Sequence, residues 1–172
     1  MNGVKVAEQL LKQALDIVAT KKILRQYYSI GMTAYNYFKA TGSGDVFSMQ
    51  RNEFIEFARQ ANIVSSGGEQ GMNATMADQV FHVVNDEIAS LQLHSEIRTK
   101  RLEQKFQDFN RNKSIMRFEW QEALLRLAHL KYGNNGGGNG DGLSTSLSSS
   151  IRLLYDRHII PRLGKEVLLI SS

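Results

Sequence analysis

The sequence lacks cysteine altogether and contains a single proline in 172 residues. Without cysteine the chain can form no disulfide, no thiolate metal site and no cysteine nucleophile. It has no run of roughly 18 or more apolar residues, so a membrane span is not expected. Charges are scattered through the N-terminal stretch MNGVKVAEQLLKQALDIVA, which does not fit a signal peptide. These absences predict an intracellular, cytoplasmic protein.

Sequence patterns typical of catalysis are also missing. The four histidines, His82, His94, His129 and His158, share no metal-ligand spacing. The glycine-rich run at 133–142 lacks the GK[ST] ending and the preceding strand of a phosphate-binding loop. No G-x-S-x-G elbow and no pair of acids with a recognisable cleft occurs. The sequence therefore predicts a protein that is not an enzyme.

The charge balance is slightly basic. Lysine and arginine number 21 against 17 acidic residues, which gives a net charge of +4 and a pI of about 9.4. The stretches KKILR (21–25) and RTKRLEQK (98–105) raise the alternative of a basic module that binds nucleic acid or a membrane surface. Because the excess is small and forms no long run, nucleic acid is the less favoured partner.

Apolar residues recur at three- and four-residue steps and predict an all-α fold. Helices are expected at about 49–61, 73–91, 95–109, 117–132 and 145–158, and the only strand-like segment is the tail EVLLISS. Two earlier helical stripes consist of Val6, Leu10, Leu11, Ala14, Leu15 and Val18, and of Ile23, Tyr27, Ile30, Ala34, Tyr37 and Phe38.

Two polar breaks divide the chain. SSGGEQG (65–71) separates two lobes, and GNNGGGNGDG (133–142) predicts a flexible insert, because glycine and asparagine there cannot pack. The expected organisation is a helical domain at 1–132, the insert at 133–142 and a docked C-terminal helix within 143–172.

The C-terminal helix has its own start and stop signals. Ser144 or Ser146 is expected to cap its N-terminus, and Pro161 is expected to end it. Leu147, Ile151 and Leu154 lie on one face, which predicts that the helix docks onto the preceding lobe.

One segment occurs twice. SMQRNEFIEFARQ (48–60) aligns without a gap with SIMRFEWQEALLR (114–126). The alignment pairs Ser48 with Ser114, Arg51 with Arg117, Glu53 with Glu119 and Glu56 with Glu122, and it matches Met49 with Ile115 and Phe54 with Trp120 in kind. The repeat predicts two similar helix–loop–helix units that pack face to face, with Phe54 and Trp120 in the core.

The repeat resembles the EF-hand, in which a twelve-residue loop between two helices offers oxygen ligands to calcium. Counted from Asp108, the second loop has Ile115 at the apolar eighth position, and Trp120 follows the last residue of the loop, as is usual in the family. The resemblance implies that the calcium ligands are Asp108, Asn110, Asn112, Ser114 and Glu119.

Both loops depart from the family pattern. Lys113 stands where the family has glycine, and with Arg111 and Arg117 it leaves the second loop with a net charge of +1. The first loop, 42–53, starts with Gly42 instead of a carboxylate. We therefore expect no calcium at the first loop and no cofactor, or at most weakly bound calcium, at the second.

Simpler interpretations exist for the same residues. Glu53 and Glu119 are acids that suit a first helical turn, where the helix dipole favours negative charge. Ser48 and Ser114 are candidates for N-caps.

Five aromatic residues within twelve positions predict a partner-binding surface: Tyr27, Tyr28, Tyr35, Tyr37 and Phe38. They span more than one helical face, so some should face solvent. Arg51 and Arg117 are expected on exposed helix faces, either paired with Glu56 or Glu122 or in contact with a partner.

We expect an EF-hand-like pair with extra N- and C-terminal helices, acting as a protein–protein scaffold or adaptor. Its apolar groove would accept an amphipathic helix from a partner or from the chain's own flanks. The pattern is also similar to degenerate EF-hand modules of protist proteins, which implies a cytoskeletal or flagellar complex. A calcium sensor that uses the second loop is the first alternative, and the basic module is the second.

Overall fold

A computed structural model describes residues 2–42, 47–65, 72–93, 114–133 and 145–162. The expected helix at 95–109, most of the Gly/Asn insert and the strand-like tail lie outside the described residues.

The described residues are mainly helical, as the apolar spacing predicts. The helices are α1 Asn2–Gln26, α2 Tyr28–Thr41, α3 Arg51–Gln60, α4 Ala74–Leu93, α5 Trp120–Tyr132 and α6 Leu147–Leu154, followed by a π-helical turn at Tyr155–Ile159. Within these ranges, no helix is both long and apolar enough to cross a bilayer.

Two short strands join the repeats. β1 (Met49–Gln50) pairs antiparallel with β2 (Ser114–Ile115), with Met49 opposite Ile115 and Gln50 opposite Ser114. The expectation that strands occur only in the C-terminal tail is therefore wrong. Two residues are too few to show a period of two, so the sequence carries no local signal for these strands.

The strands also correct the capping prediction for Ser48 and Ser114. α3 begins at Arg51 after Gln50, and α5 begins at Trp120 after Glu119. Both serines are buried in or beside the paired strands, several residues before the helices. They therefore cap neither helix.

The core is built largely from aromatic rings. Its largest fully buried side chains include seven aromatic residues, one of which is Tyr155 of the C-terminal segment. We call the other six the aromatic core: Tyr35, Phe38, Phe54, Phe57, Phe81 and Trp120. The ring of Trp120 lies edge-on to Phe57 at 4.8 Å and to Phe54 at 6.2 Å between centroids. The predicted core positions of Phe54 and Trp120 are confirmed.

The C-terminal segment, residues 145–162, packs against both α1 and α5. Ile151, Leu154 and Ile159 are completely buried. Ser146 is the N-cap of α6, and its hydroxyl accepts the N–H of Ser149 at 3.2 Å. The predicted Ser146 cap is therefore confirmed.

The prediction that Pro161 ends this helix is wrong, because helical conformation continues to Arg162. Proline lacks the N–H of the regular helical ladder and crowds the carbonyl four residues earlier, which here belongs to Arg157. Arg157 lies in the π-helical turn, whose hydrogen bonds follow a wider spacing. The wider turn offers a physical reason why the proline is tolerated.

Candidate interaction site

Tyr35 connects the two repeats at their loops. Its hydroxyl oxygen lies 3.1 Å from the carbonyl oxygen of Phe47 and 3.1 Å from that of Ile115. The Phe47 carbonyl lies just before β1, and the Ile115 carbonyl belongs to the last residue of β2. A single α2 side chain therefore contacts both loops. No local sequence pattern indicates this role, since the partners of Tyr35 are 12 and 80 positions away.

Trp120 ties the second repeat to α2. Its indole N–H donates to the carbonyl oxygen of Gly31 at 2.8 Å. The C-terminal segment also approaches α2 closely at Gly31, since a Cβ there would lie 2.5 Å from the hydroxyl oxygen of Tyr155. A small residue at position 31 therefore lets Trp120, α2 and Tyr155 meet.

The predicted aromatic surface is corrected at three of its five positions. Tyr27, Tyr35 and Phe38 are at most 8% exposed, because their side chains pack against the repeats or the C-terminal segment. Tyr28 is exposed and Tyr37 is half-buried. The buried three act as core residues and are not available to a partner in this structure.

Tyr27 forms the first contact with the C-terminal segment. Its ring stacks on that of Tyr155 with centroids 4.7 Å apart and planes at 9°. Its hydroxyl donates to the carboxylate of Asp156 at 2.7 Å. That hydrogen bond, together with burial, raises the pKa of Tyr27. Tyr27 therefore holds the C-terminal segment through a ring contact with Tyr155 and a charge-assisted hydrogen bond to Asp156.

Asp16 of α1 caps the start of α6 from outside the segment. Its carboxylate accepts the N–H groups of Leu147 at 2.9 Å and Ser148 at 3.0 Å. Burial opposes the charge, but hydrogen bonds from Ser148, Leu147 and Ser146 hold the pKa of Asp16 below its usual value. A carboxylate at a helix N-terminus satisfies free N–H groups and complements the helix dipole.

His158 makes the third contact. One ring nitrogen, Nε2, is 2.5 Å from the hydroxyl oxygen of Tyr132, and the other, Nδ1, is 3.2 Å from the carbonyl oxygen of Ala61. A neutral ring fits both, donating from Nδ1 and accepting at Nε2. Burial, with the nearby charge of Lys131, lowers the pKa of His158.

We call the surface formed by α1, α2 and α5 against residues 145–162 the C-terminal groove. Sequence reasoning missed Asp16 of the groove, and it missed Tyr155 and His158 of the segment that fills it. Their partners are distant in the sequence, Asp16 from Leu147 by 131 positions and His158 from Ala61 by 97. No local pattern marks such pairs. In chemical terms, the arrangement holds a helix through apolar burial with polar contacts along its length.

Two of the predicted calcium ligands lie within the described residues. Ser114 is buried in β2, and Glu119 is 2% exposed directly before α5. Asp108, Asn110 and Asn112 lie outside the described residues. The described ranges contain no group of three or more histidine or acidic residues that could hold a metal ion.

Glu119 has a structural hydrogen bond. Its Oε2 accepts the backbone N–H of Met116 at 2.6 Å. Burial raises the pKa of Glu119 against the opposing effect of that bond, and the charge of Glu122 adds to the rise. The acid that resembles a calcium ligand therefore closes the turn before α5.

Glu53, its counterpart in the first repeat, lies in the first turn of α3, as one interpretation predicts. Its carboxylate packs so closely on Gly42 that a Cβ at position 42 would collide with Oε1. Its Oε2 is buried, and no described residue donates a hydrogen bond to it. The side chain therefore folds back over the start of its own loop.

The two repeat arginines have different partners from those expected. Arg51 makes a two-pronged ion pair with Asp78 of α4, and its Nη2 donates to Oδ2 at 2.8 Å. Hydrogen bonding to Arg51 lowers the pKa of Asp78. Arg117 donates to the hydroxyl of Tyr28 at 3.3 Å.

The expected pairs with Glu56 and Glu122 are therefore wrong. Each glutamate instead pairs with an arginine on its own helix, Glu56 with Arg59 at 2.8 Å and Glu122 with Arg126 at 2.7 Å. Such partners lie one turn away on the same helix surface. The second basic stretch, 98–105, lies outside the described residues.

No protein-family model, curated protein or solved structure matches this chain.

Proposed function

We propose that the protein is a non-catalytic protein–protein interaction module built on a degenerate EF-hand-like pair. Its groove accepts an amphipathic helix, and the chain's own C-terminal segment occupies that groove. The observation that carries the proposal is the seating of residues 145–162, with Ile151, Leu154 and Ile159 fully buried. A helix bound by an apolar face in a groove is a recurrent mode of protein recognition.

The pairing of the two repeats supports the EF-hand-like part of the proposal. Met49 and Ile115 correspond to the apolar eighth loop positions of the resemblance, and they lie opposite each other in β1 and β2. Phe54 and Trp120, which follow the last loop residues, meet in the aromatic core. The two repeats thus contact each other through equivalent residues.

The proposed mechanism is exchange of one helix for another. The polar contacts of the segment involve side chains at the groove edge, namely Asp16, Tyr27 and Tyr132. A partner helix with apolar residues at the spacing of Ile151 and Leu154 would bury the same surface. Helix-in-groove binding of this kind would suit an adaptor in a cytoplasmic cytoskeletal or flagellar complex, a setting that comes from the sequence resemblance.

A cleavable chain tests this proposal. A protease recognition site is placed between residues 134 and 144 of the full-length protein, and the chain is cut while folded. A fluorescein-labelled peptide of residues 145–162 is then added, and its anisotropy is followed. We expect the labelled peptide to exchange into the cut chain and not into the uncut chain, in which the tethered segment competes at high effective concentration.

Two variant peptides define the specificity of this exchange. A peptide with Ile151→Asp should fail to enter, because it would bury a charge without a partner. A peptide with Arg152→Gln should enter as well as the parent, since Arg152 is exposed. If no peptide enters the cut chain, or the Ile151→Asp peptide enters equally well, the groove does not work as proposed.

A further inference from the structure

Residues 6–18 of α1 expose an apolar face. Six side chains are each 54–66% exposed: Val6, Leu10, Leu11, Leu15, Ile17 and Val18. At about 100° per residue they cover roughly half of the helix circumference, together with Ala7 and Ala14. The charged residues of the same stretch, Glu8, Lys12 and Asp16, all fall outside this arc. We call the arc the outward face of α1.

The outward face lies away from the other parts of the chain that the structure describes. α1 turns its other side to the C-terminal segment through Asp16, Thr20, Ile23 and Tyr27. The polar side of the helix thus meets the protein, and its apolar side meets solvent over about 18 Å of helix. Contiguous apolar surface of this kind marks an interaction site.

A basic cleft continues the outward face toward the C-terminal end of α1. Lys21, Lys22 and Arg25 fall on the same arc, and all three are exposed. None of them forms an ion pair within the described residues. A cleft of about 450 Å³ opens beside them, lined by Lys21, Leu24, Arg25, Tyr28 and Gln121. An apolar strip therefore ends at a concave site with two cations, a hydroxyl and an amide.

The charges identify the kind of occupant. A second copy of the chain offers no acid to these cations on its own outward face, and parallel pairing would place like charges side by side. A bilayer surface would complement the charges but is flat and would leave the cleft unused. An acidic side chain at the end of a bound helix satisfies both the cations and the cleft.

We propose that the outward face of α1 binds an amphipathic helix of another protein, apolar along one side and acidic at the end that reaches the basic cleft. This surface is distinct from the C-terminal groove, because α1 contacts the C-terminal segment with its opposite side. The uncut chain keeps the groove filled, so binding to α1 can fail or succeed independently of helix exchange in the groove.

Two designed peptides provide the probe. Each is a helix of about 18 residues with a leucine and alanine stripe, long enough to follow the outward face into the cleft. One carries three glutamates at one end, and the other carries three lysines there. Binding of each labelled peptide to the full-length chain is measured by fluorescence anisotropy. We expect the acidic peptide to bind about tenfold more tightly than the basic one.

Three variants assign the binding to the proposed face. Lys21→Glu with Arg25→Glu should reverse the preference between the two peptides. Lys5→Glu with Lys12→Glu changes the net charge equally but on the polar side of α1, and it should leave the order unchanged. Leu11→Gln with Leu15→Gln should abolish binding of both peptides, with circular dichroism showing that these exposed replacements leave the fold intact.

Several results would overturn the proposal. Equal binding of the two peptides, or no binding of either, removes the charge argument. Self-association of the chain in analytical ultracentrifugation, lost with Leu11→Gln and Leu15→Gln, assigns the face to a second copy. Binding to vesicles of phosphatidylcholine and phosphatidylserine that exceeds peptide binding and depends on the same residues assigns it to a membrane surface.

Discussion

The rings of Phe54 and Trp120 meet edge to face, with centroids 6.2 Å apart and planes at 88°. Each of these residues directly follows the glutamate of its repeat, and both side chains are fully buried. The duplicated segments therefore contact each other through the same position in each. Edge-to-face geometry places the positive ring edge on the negative face of the neighbour, which adds to the hydrophobic gain.

Truncation of Trp120 should be among the most destabilising single changes. Trp120→Ala should cost about 3–5 kcal/mol of unfolding free energy, because a large buried side chain is removed. Trp120→Phe should cost less, about 1–2 kcal/mol, through lost volume and the lost hydrogen bond to Gly31. Urea unfolding measures both. Phe118→Ala is the control, since Phe118 is 68% exposed, and a comparable loss there would contradict the core assignment.

Gly31 and Tyr155 should show strong coupling in a double-mutant cycle. Gly31→Ala would place a methyl group 2.5 Å from the Tyr155 hydroxyl and should destabilise the protein by about 1–3 kcal/mol. In a Tyr155→Phe background the clash is gone, and alanine should then be neutral or stabilising, as is usual within a helix. The cycle is read by thermal or urea unfolding. Additive effects of the two changes would show that the two positions do not meet.

Removal of the Asp16 carboxylate should loosen the start of α6. Asp16→Ala should lower stability by about 1–2 kcal/mol, because two helix N–H groups lose their acceptor. It should also speed hydrogen exchange at the amides of Leu147 and Ser148. Glu8→Ala, an exposed change on the same helix, should do neither. Unchanged exchange at both amides in the Asp16 variant would mean that the cap has no role in solution.

His158 should make stability depend on pH. Because its pKa is lowered in the folded protein by burial and by the charges of Lys131 and Arg157, the unfolded chain binds the proton more tightly. The stabilisation of the folded protein by neutral His158 is therefore complete above the unfolded-state pKa near 6.5. It is lost as the pH falls through and below that value.

Urea unfolding at pH 7.5 and 5.5 checks this dependence. His158→Gln should reduce the difference between the two pH values, whereas His129→Gln, at an exposed site of α5, should not. An unchanged difference in the His158 variant would show that another group causes it.

Glu119 should change the free energy of unfolding with pH in the opposite direction to His158. Since its pKa is raised in the folded protein, its contribution falls as the pH rises from the unfolded-state value near 4.5 through the folded-state pKa. Glu119→Gln can keep the bond from Met116 without a buried charge. We expect it to raise stability at pH 7 by about 1 kcal/mol and to flatten the pH profile.

The same variant, Glu119→Gln, also tests whether the second loop binds calcium. If millimolar calcium raises the melting temperature of the parent chain and Glu119→Gln abolishes that rise, the second loop binds calcium after all. Glu56→Gln is the control, since its exposed ion pair with Arg59 is worth little.

Much of the helical architecture follows from short-range pattern. The predicted helices at 73–91 and 117–132 lie close to α4 and α5, because a three- and four-residue period is a local property of the chain. The Ser146 cap, the docking of Ile151 and Leu154, and the burial of Phe54 and Trp120 were predictable for the same reason. The pairing of β1 with β2 was not, since two residues carry no period.

The sequence by itself determined which faces of the helices are apolar, because spacing alone places residues on a face. Only the tertiary structure decided which of these faces are covered. Tyr27, Tyr35 and Phe38 are buried although their number suggested an exposed surface, while Leu11 and Leu15 of α1 remain open to solvent. Burial depends on which distant segments arrive at a face, and contacts such as those of Asp16 with Leu147 join residues that no local pattern relates.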